Sequence, residues 1–259
     1  MFEIYNFSLT EIYSFILVLI RISVFFFLFP FFSMTSVPAM LKILFSVLLT
    51  MVIFPTVGWQ KLESSDIDSQ LFWLAGREAL VGFVMGGVVR MFFQVFEMAG
   101  QLISDAMGLG AAQILNPTSQ VQSSVVEQFV YLLMVLFFFG MNGHHLFLIG
   151  LTESFQILPI DLRGLRIEIL RDIGILMQGL ATSAAKMAAP VVVAIFLVNV
   201  GMAIVGRAVP QINVLITSIP VTIYVGILIM AMSIPLYLST GSGIINDSVA
   251  EMFKVLKAL

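Results

Sequence analysis

Residues 125–159 read VVEQFVYLLMVLFFFGMNGHHLFLIGLTESFQILP. The stretch is almost wholly apolar from 125 to 151, enough for the roughly 20 residues that a bilayer-spanning helix needs. Its middle holds Asn142-Gly143, a strong turn dipeptide, followed by both histidines of the chain, His144 and His145. The expectation is a helix that ends or kinks at MNGHH, with polar groups satisfying the freed backbone. A proton relay or a ligand role is the alternative, because imidazole titrates near neutrality. Adjacent helical residues, however, point about 100° apart and do not easily chelate one ion. No cysteine or third histidine completes a nitrogen or sulfur site. The nearest carboxylates, Glu127 and Glu153, stand at no helical spacing from either ring.

Five more apolar runs surround this one, at about 12–34, 37–58, 71–100, 174–206 and 212–240. The 259 residues are 60% hydrophobic and 10% charged, against about a quarter charged in a soluble domain. These proportions point to an integral membrane protein or a subunit buried in one, and the six runs to an all-α fold of about six long, kinked helices. With a net charge of −3 and scattered basic residues, nothing marks a nucleic-acid surface. The opening MFEIYNFSLTEIY is acidic where a signal peptide is basic, so an uncleaved N-terminus is expected. Basic residues Lys61, Arg163, Arg166, Arg171, Lys254 and Lys257 fall on one side of a simple six-span topology, which favours cytoplasmic termini.

The helices carry more charge than lipid tolerates. Arg21, Lys42, Arg77, Glu78, Arg90, Glu97, Glu127 and Lys186 lie in or beside apolar runs, and each costs at least about 2.5–3.5 kcal/mol near a bilayer centre. They are expected to face protein, water or one another. Arg90, Gln94, Glu97, Gln101 and Asp105 recur at spacings of four, three, four and four. That is one face of a helix, a stripe about 22 Å long at about 1.5 Å per residue, with Phe92, Phe96 and Met98 opposite. It reads either as a polar seam buried between helices or as the lining of an aqueous path. Gly82 and Gly86 form a small-xxx-small pair suited to close helix approach, and Ala181, Ala185 and Ala189 repeat the spacing. Pro30, Pro55, Pro190, Pro220 and Pro235 fall within or at the ends of apolar runs, where each is expected to cost a helical hydrogen bond.

No motif of catalysis is present: no HExxH, GxSxG or Walker sequence, and no catalytic residue, cofactor or metal site is predicted. The connector GLGAAQILNPTSQVQ (108–122) carries no charge. It is either an ordinary connector or a flexible plug inside a pore. Arg207, in GRAVPQ, is either a fork of donors that caps carbonyls or binds a carboxylate, or a simple interfacial cation.

Two blocks, NPTSQVQSSVVEQFVYLLMVLFFFGMNGHHLFLIGLTESFQILP (116–159) and GRAVPQINVLITSIPVTIYVGILIM (206–230), resemble the FliR family of flagellar and type III secretion export proteins. The resemblance rests on Asn142, Gly143 and His144, on Ser154-Phe155 with Leu158-Pro159, and on Arg207, Pro210, Gln211 and Asn213. It implies a non-enzymatic channel component, its helices arranged as hairpins in a multi-subunit export-gate assembly. The implied partners are FliP-type, FliQ-type and FlhB-type subunits, with unfolded export substrates passing across the bacterial inner membrane at the flagellar basal body. One membrane domain would join a FliP-like part, 1–158, to a FliQ-like part, 174–259. In the family the loop matching 108–122 helps close the channel, which here implicates Gly108, Gly110, Ile114, Asn116 and Pro117. The family assembly sits largely above the membrane plane, at odds with a simple six-span topology. The competing class is a small-solute or ion transporter using Arg90, Glu97 and the histidines.

Overall fold

In a computed structural model, the described residues are 9–33, 37–57, 67–110, 124–160, 169–211 and 213–258. Every apolar run among them is helical, and they contain no strand. In chain order the helices are α1 (Leu9–Leu28), α2 (Pro30–Ser33), α3 (Ala39–Val57), α4 (Ile67–Ala106), α5 (Val125–Gly140), α6 (Gly143–Ile157), α7 (Ile169–Ala208), α8 (Val214–Met232) and α9 (Ile234–Ala258). Four of these are long and apolar enough to cross a membrane, or up to six spans if α5–α6 and α8–α9 each count as one broken span.

The breaks follow local chemistry. Between α5 and α6, Asn142 adopts the left-handed conformation at φ 57, which asparagine tolerates better than most residues. The break expected at MNGHH is therefore present. The prolines divide into two groups. Pro30 is the first residue of α2 and Pro235 the second of α9, first-turn positions whose N–H has no helical acceptor anyway. Pro55, Pro190 and Pro220 lie inside α3, α7 and α8.

The chain divides into two compact units. The first comprises Met1–Phe92, Asn142–Gly174 and Asn246–Leu259. Here α1 packs on α3, and α3 touches α6. An aromatic cluster fills the space: Phe26 meets Phe45 edge-on at 5.2 Å, and Phe29 meets Phe147 at 5.6 Å. Gly82 and Gly86 of α4 make the close approach their spacing foretells. A Cβ on Gly82 would stand 2.5 Å from the Arg21 carbonyl oxygen, and one on Gly86 would stand 2.9 Å from that of Phe25. Helix α3 buries Ser46 and Thr50 along with Ile53 and exposes Leu44, Leu48, Met51 and Val52. Each buried hydroxyl donates one turn back, Ser46 to the Lys42 carbonyl at 2.8 Å and Thr50 to that of Ser46 at 2.7 Å.

The second unit comprises Phe93–Met141 and Ile175–Ile245. Gly100 of α4 faces the backbone of Glu127 in α5, with 2.6 Å from an added Cβ to the Glu127 Cα. Ser124 caps α5 with its hydroxyl, and Glu127 reaches back to the Ser124 N–H at 3.2 Å, a reciprocal pair that satisfies two orphan donors. Met107 lies against Gly226 of α8, and Met134 against Gly241 of α9. Flexible thioethers thus occupy the gaps that the glycines leave.

Candidate functional site

Two groups of polar residues involve helix α4. The first centres on Arg21, whose side chain is fully buried on α1. Its Nε donates to Oε2 of Glu78, on α4, at 2.6 Å. Nη1 donates to the Ser154 hydroxyl at 3.2 Å, and Nη2 to the Leu158 carbonyl at 2.9 Å. The Phe155 ring lies under the guanidinium, 4.1 Å from Cζ. Arg77 reaches the other carboxylate oxygen, Oε1 of Glu78, at 3.2 Å, and donates to the Pro159 carbonyl at 2.8 Å. A planar fork of donors is the group that can engage a carboxylate, a hydroxyl and a carbonyl together.

This network gives physical content to the Ser154-Phe155 and Leu158-Pro159 ending. The carbonyls just past α6, Leu158 at its C-cap and Pro159 next to it, accept from guanidinium groups of α1 and α4. Ser154 itself donates to the Leu151 carbonyl at 2.7 Å while accepting from Arg21. Arg21, Arg77 and Glu78 stand in the sequence as charges in apolar runs with no partner indicated by spacing. The available signal was that an ionisable group at membrane depth needs a named partner.

The second site is the polar stripe of α4. Arg90, in the first unit, and Gln94, Gln101 and Asp105, in the second, are exposed in the isolated chain, with Glu97 half-buried. The helix buries Phe92, Phe93, Val95, Phe96, Ala99 and Ile103 instead. Met98, expected on the apolar face, is 44% exposed because it follows Glu97 by only 100° of turn. At the end of α4, Thr222 of α8 donates to the Met107 carbonyl at 3.0 Å. Gly108 follows at φ +82, a conformation that glycine adopts without strain. Gly110 sits beside the Asp105 carboxylate. Ser104 and Ser124 join the helix ends flanking the connector through a hydroxyl–hydroxyl bond of 2.5 Å. Ile114, Asn116 and Pro117 lie outside the described residues.

The other singled-out residues have local roles. Gly143 is buried at the start of α6, and the His144 and His145 rings stack at 4.2 Å, tilted by 36°. Among the described residues, no three His, Cys, Asp or Glu side chains converge on a common point. Arg207 is exposed in the last turn of α7, and Pro210 and Gln211 form an exposed turn. Asn213 caps α8, its side chain accepting from the Ile216 N–H at 3.4 Å. Ala185 and Ala189 are exposed, while Ala184 and Ala188 are buried.

Helices of this length and apolarity, with a buried ion-pair network, define a membrane-embedded helical protein. The chain belongs to the bacterial export proteins, family 1, whose family model matches residues 12–248. It is 36% identical over 226 residues to the flagellar biosynthetic protein FliR of Bacillus subtilis, covering 85% of this chain and 86% of that one. It is 28% identical to FliR of Aquifex aeolicus, with 92% and 90% covered. Against FliR of Escherichia coli the identity is 27%, with 80% and 78% covered.

Proposed function

We propose that this chain is a structural channel component of the type III protein export gate, passing unfolded flagellar proteins across the bacterial inner membrane. The observation that carries this reading is the near-full-length similarity to proteins named flagellar biosynthetic protein FliR. Its partners in the gate are FliP-type, FliQ-type and FlhB-type subunits. Residues 1–158 correspond to the FliP-like part and 174–259 to the FliQ-like part. The role is mechanical rather than catalytic: the chain supplies helices to a wall and one connector to a closure. That connector is 108–122, uncharged throughout, so it can leave a closed pore without the cost of moving a charge.

Two measurements test the reading. A strain lacking this chain should secrete no hook or filament protein and should recover on complementation. Normal secretion without it would overturn the assignment. Deleting Gly110–Gln120 should leave the assembly intact yet open an ion leak across the inner membrane. An assembled, sealed deletion variant would remove the plug role while leaving the gate assignment standing.

A further inference from the structure

Resting on the reading of 108–122 as the closure, we infer that Thr222 of α8 is a positioning residue for it: its hydroxyl holds the Met107 carbonyl, where the chain leaves α4, and fixes the direction in which the connector sets out. All the groups concerned lie in the second unit. The carbonyls at the end of α4 can be followed one by one. That of Ile103 accepts from the Met107 N–H at 3.0 Å, that of Ser104 from Leu109 at 3.1 Å and that of Asp105 from Gly108 at 3.0 Å. The last two bonds, with Gly108 at φ +82, form the Schellman ending of a helix. The Met107 carbonyl falls outside that scheme, and buried Thr222 supplies its donor at 3.0 Å.

Helix α8 itself does not need this bond. The Thr222 hydroxyl also lies 2.9 Å from the carbonyl of Ile219, three residues back in its own helix, and Thr217 bonds back in the same way with no second helix involved. A hydroxyl carries one proton, so Thr222 divides it between the two carbonyls. Given to Met107, the proton ties the end of α4 to α8. Given to Ile219, it releases that tie and the donor stays satisfied, so release avoids the cost of a buried group left unpaired. The surroundings yield as readily. The Met107 side chain lies against Gly226, four positions beyond Thr222, and a thioether adapts to a changed gap. Gly108 supplies the backbone freedom next to it. The far end of the connector is built differently. Ser124 meets Ser104 of α4 at 2.5 Å and closes the capping box of α5, and Gly100 of α4 packs on the Glu127 backbone. Backbone against backbone cannot give way without shifting a helix. One root of the connector is thus welded and the other latched, and the latch is Thr222.

The test is Thr222→Val, which keeps the shape of the side chain and removes the hydroxyl, in the intact export apparatus, with ion conductance across the inner membrane as the readout. Thr222→Ser keeps a hydroxyl at the latch, and Thr217→Val removes a back-bonded hydroxyl elsewhere on α8. One hydrogen bond shifts a two-state balance by about two- to tenfold. Thr222→Val should raise the leak by that factor at an unchanged level of assembled gate, while Thr222→Ser and Thr217→Val stay as tight as the wild type. An assembled Thr222→Val gate as tight as the wild type, or an equal leak from Thr217→Val, would overturn the inference. Loss of the assembled gate in Thr222→Val overturns it too, since the hydroxyl would then serve folding alone. A sealed Gly110–Gln120 deletion overturns the plug reading instead, so the two failures are distinct.

Discussion

The Nε of Arg21 and a carboxylate oxygen of Glu78 lie 2.6 Å apart, and neither side chain reaches solvent. Taking one partner from such a buried pair costs about 3–5 kcal/mol, because the other charge is left without compensation. Glu78→Gln and Arg21→Met should each lower the thermal stability of the purified chain in mild detergent sharply. The double variant should lose less than the sum of the two, since neither charge is then left alone. Strict additivity would show that the two groups are not coupled.

Arg21→Lys tests the fork itself. An ammonium keeps the charge but cannot meet Glu78, Ser154 and the Leu158 carbonyl from one rigid plane. The expected result is a stability loss close to that of Arg21→Met. Wild-type stability with lysine would mean that charge alone suffices.

Glycine contacts separate hard from soft neighbours. Gly82→Ala would press a methyl against the Arg21 carbonyl, backbone that cannot move without shifting α1, and overpacking of that kind costs about 1–3 kcal/mol. Gly150→Ala first meets the terminal methyl of Met252, the far end of a flexible side chain. The first should depress the midpoint of thermal unfolding markedly and the second little, measured on the same purified chain.

Asn142 holds its left-handed backbone at φ 57. Asn142→Gly should be close to neutral, whereas Asn142→Val should cost about 1–2 kcal/mol from the clash of its branched side chain. Equal stability of the two variants would indicate that the break relaxes without αL geometry.

Ser124→Ala removes the cap of α5 and the bond to Ser104. Loss of a capping hydroxyl costs about 1 kcal/mol. Thr is expected to restore most of it. Hydrogen exchange at the first turn of α5 would report the change locally.

What could be read from the sequence was what repeats or sits locally. The Gly82/Gly86 spacing gave a close helix contact, the Asn142-Gly143 dipeptide gave the break, and the 90–105 periodicity gave a shared face. The partners across that face and the role of each intramembrane charge were not readable. Arg21 and Glu78 are 57 positions apart, and Arg21 and Ser154 are 133 apart. No periodic pattern joins them, and any of several carboxylates would have served as well on charge alone. Met98 was legible too: at 100° per residue it falls beside Asp105 rather than opposite the stripe, and it is 44% exposed.

The carbonyls of Leu158 and Pro159 also bear on how this protein is made. Chains emerge from the ribosome N-terminus first, so α1 through α4 are synthesised well before the residues that complete the shell around Arg21. Arg21 of α1 and Arg77 of α4 therefore gain their bonds to Ser154, Leu158 and Pro159 only after residue 159 has been made, so the shell around Arg21 is among the later parts of this unit to close.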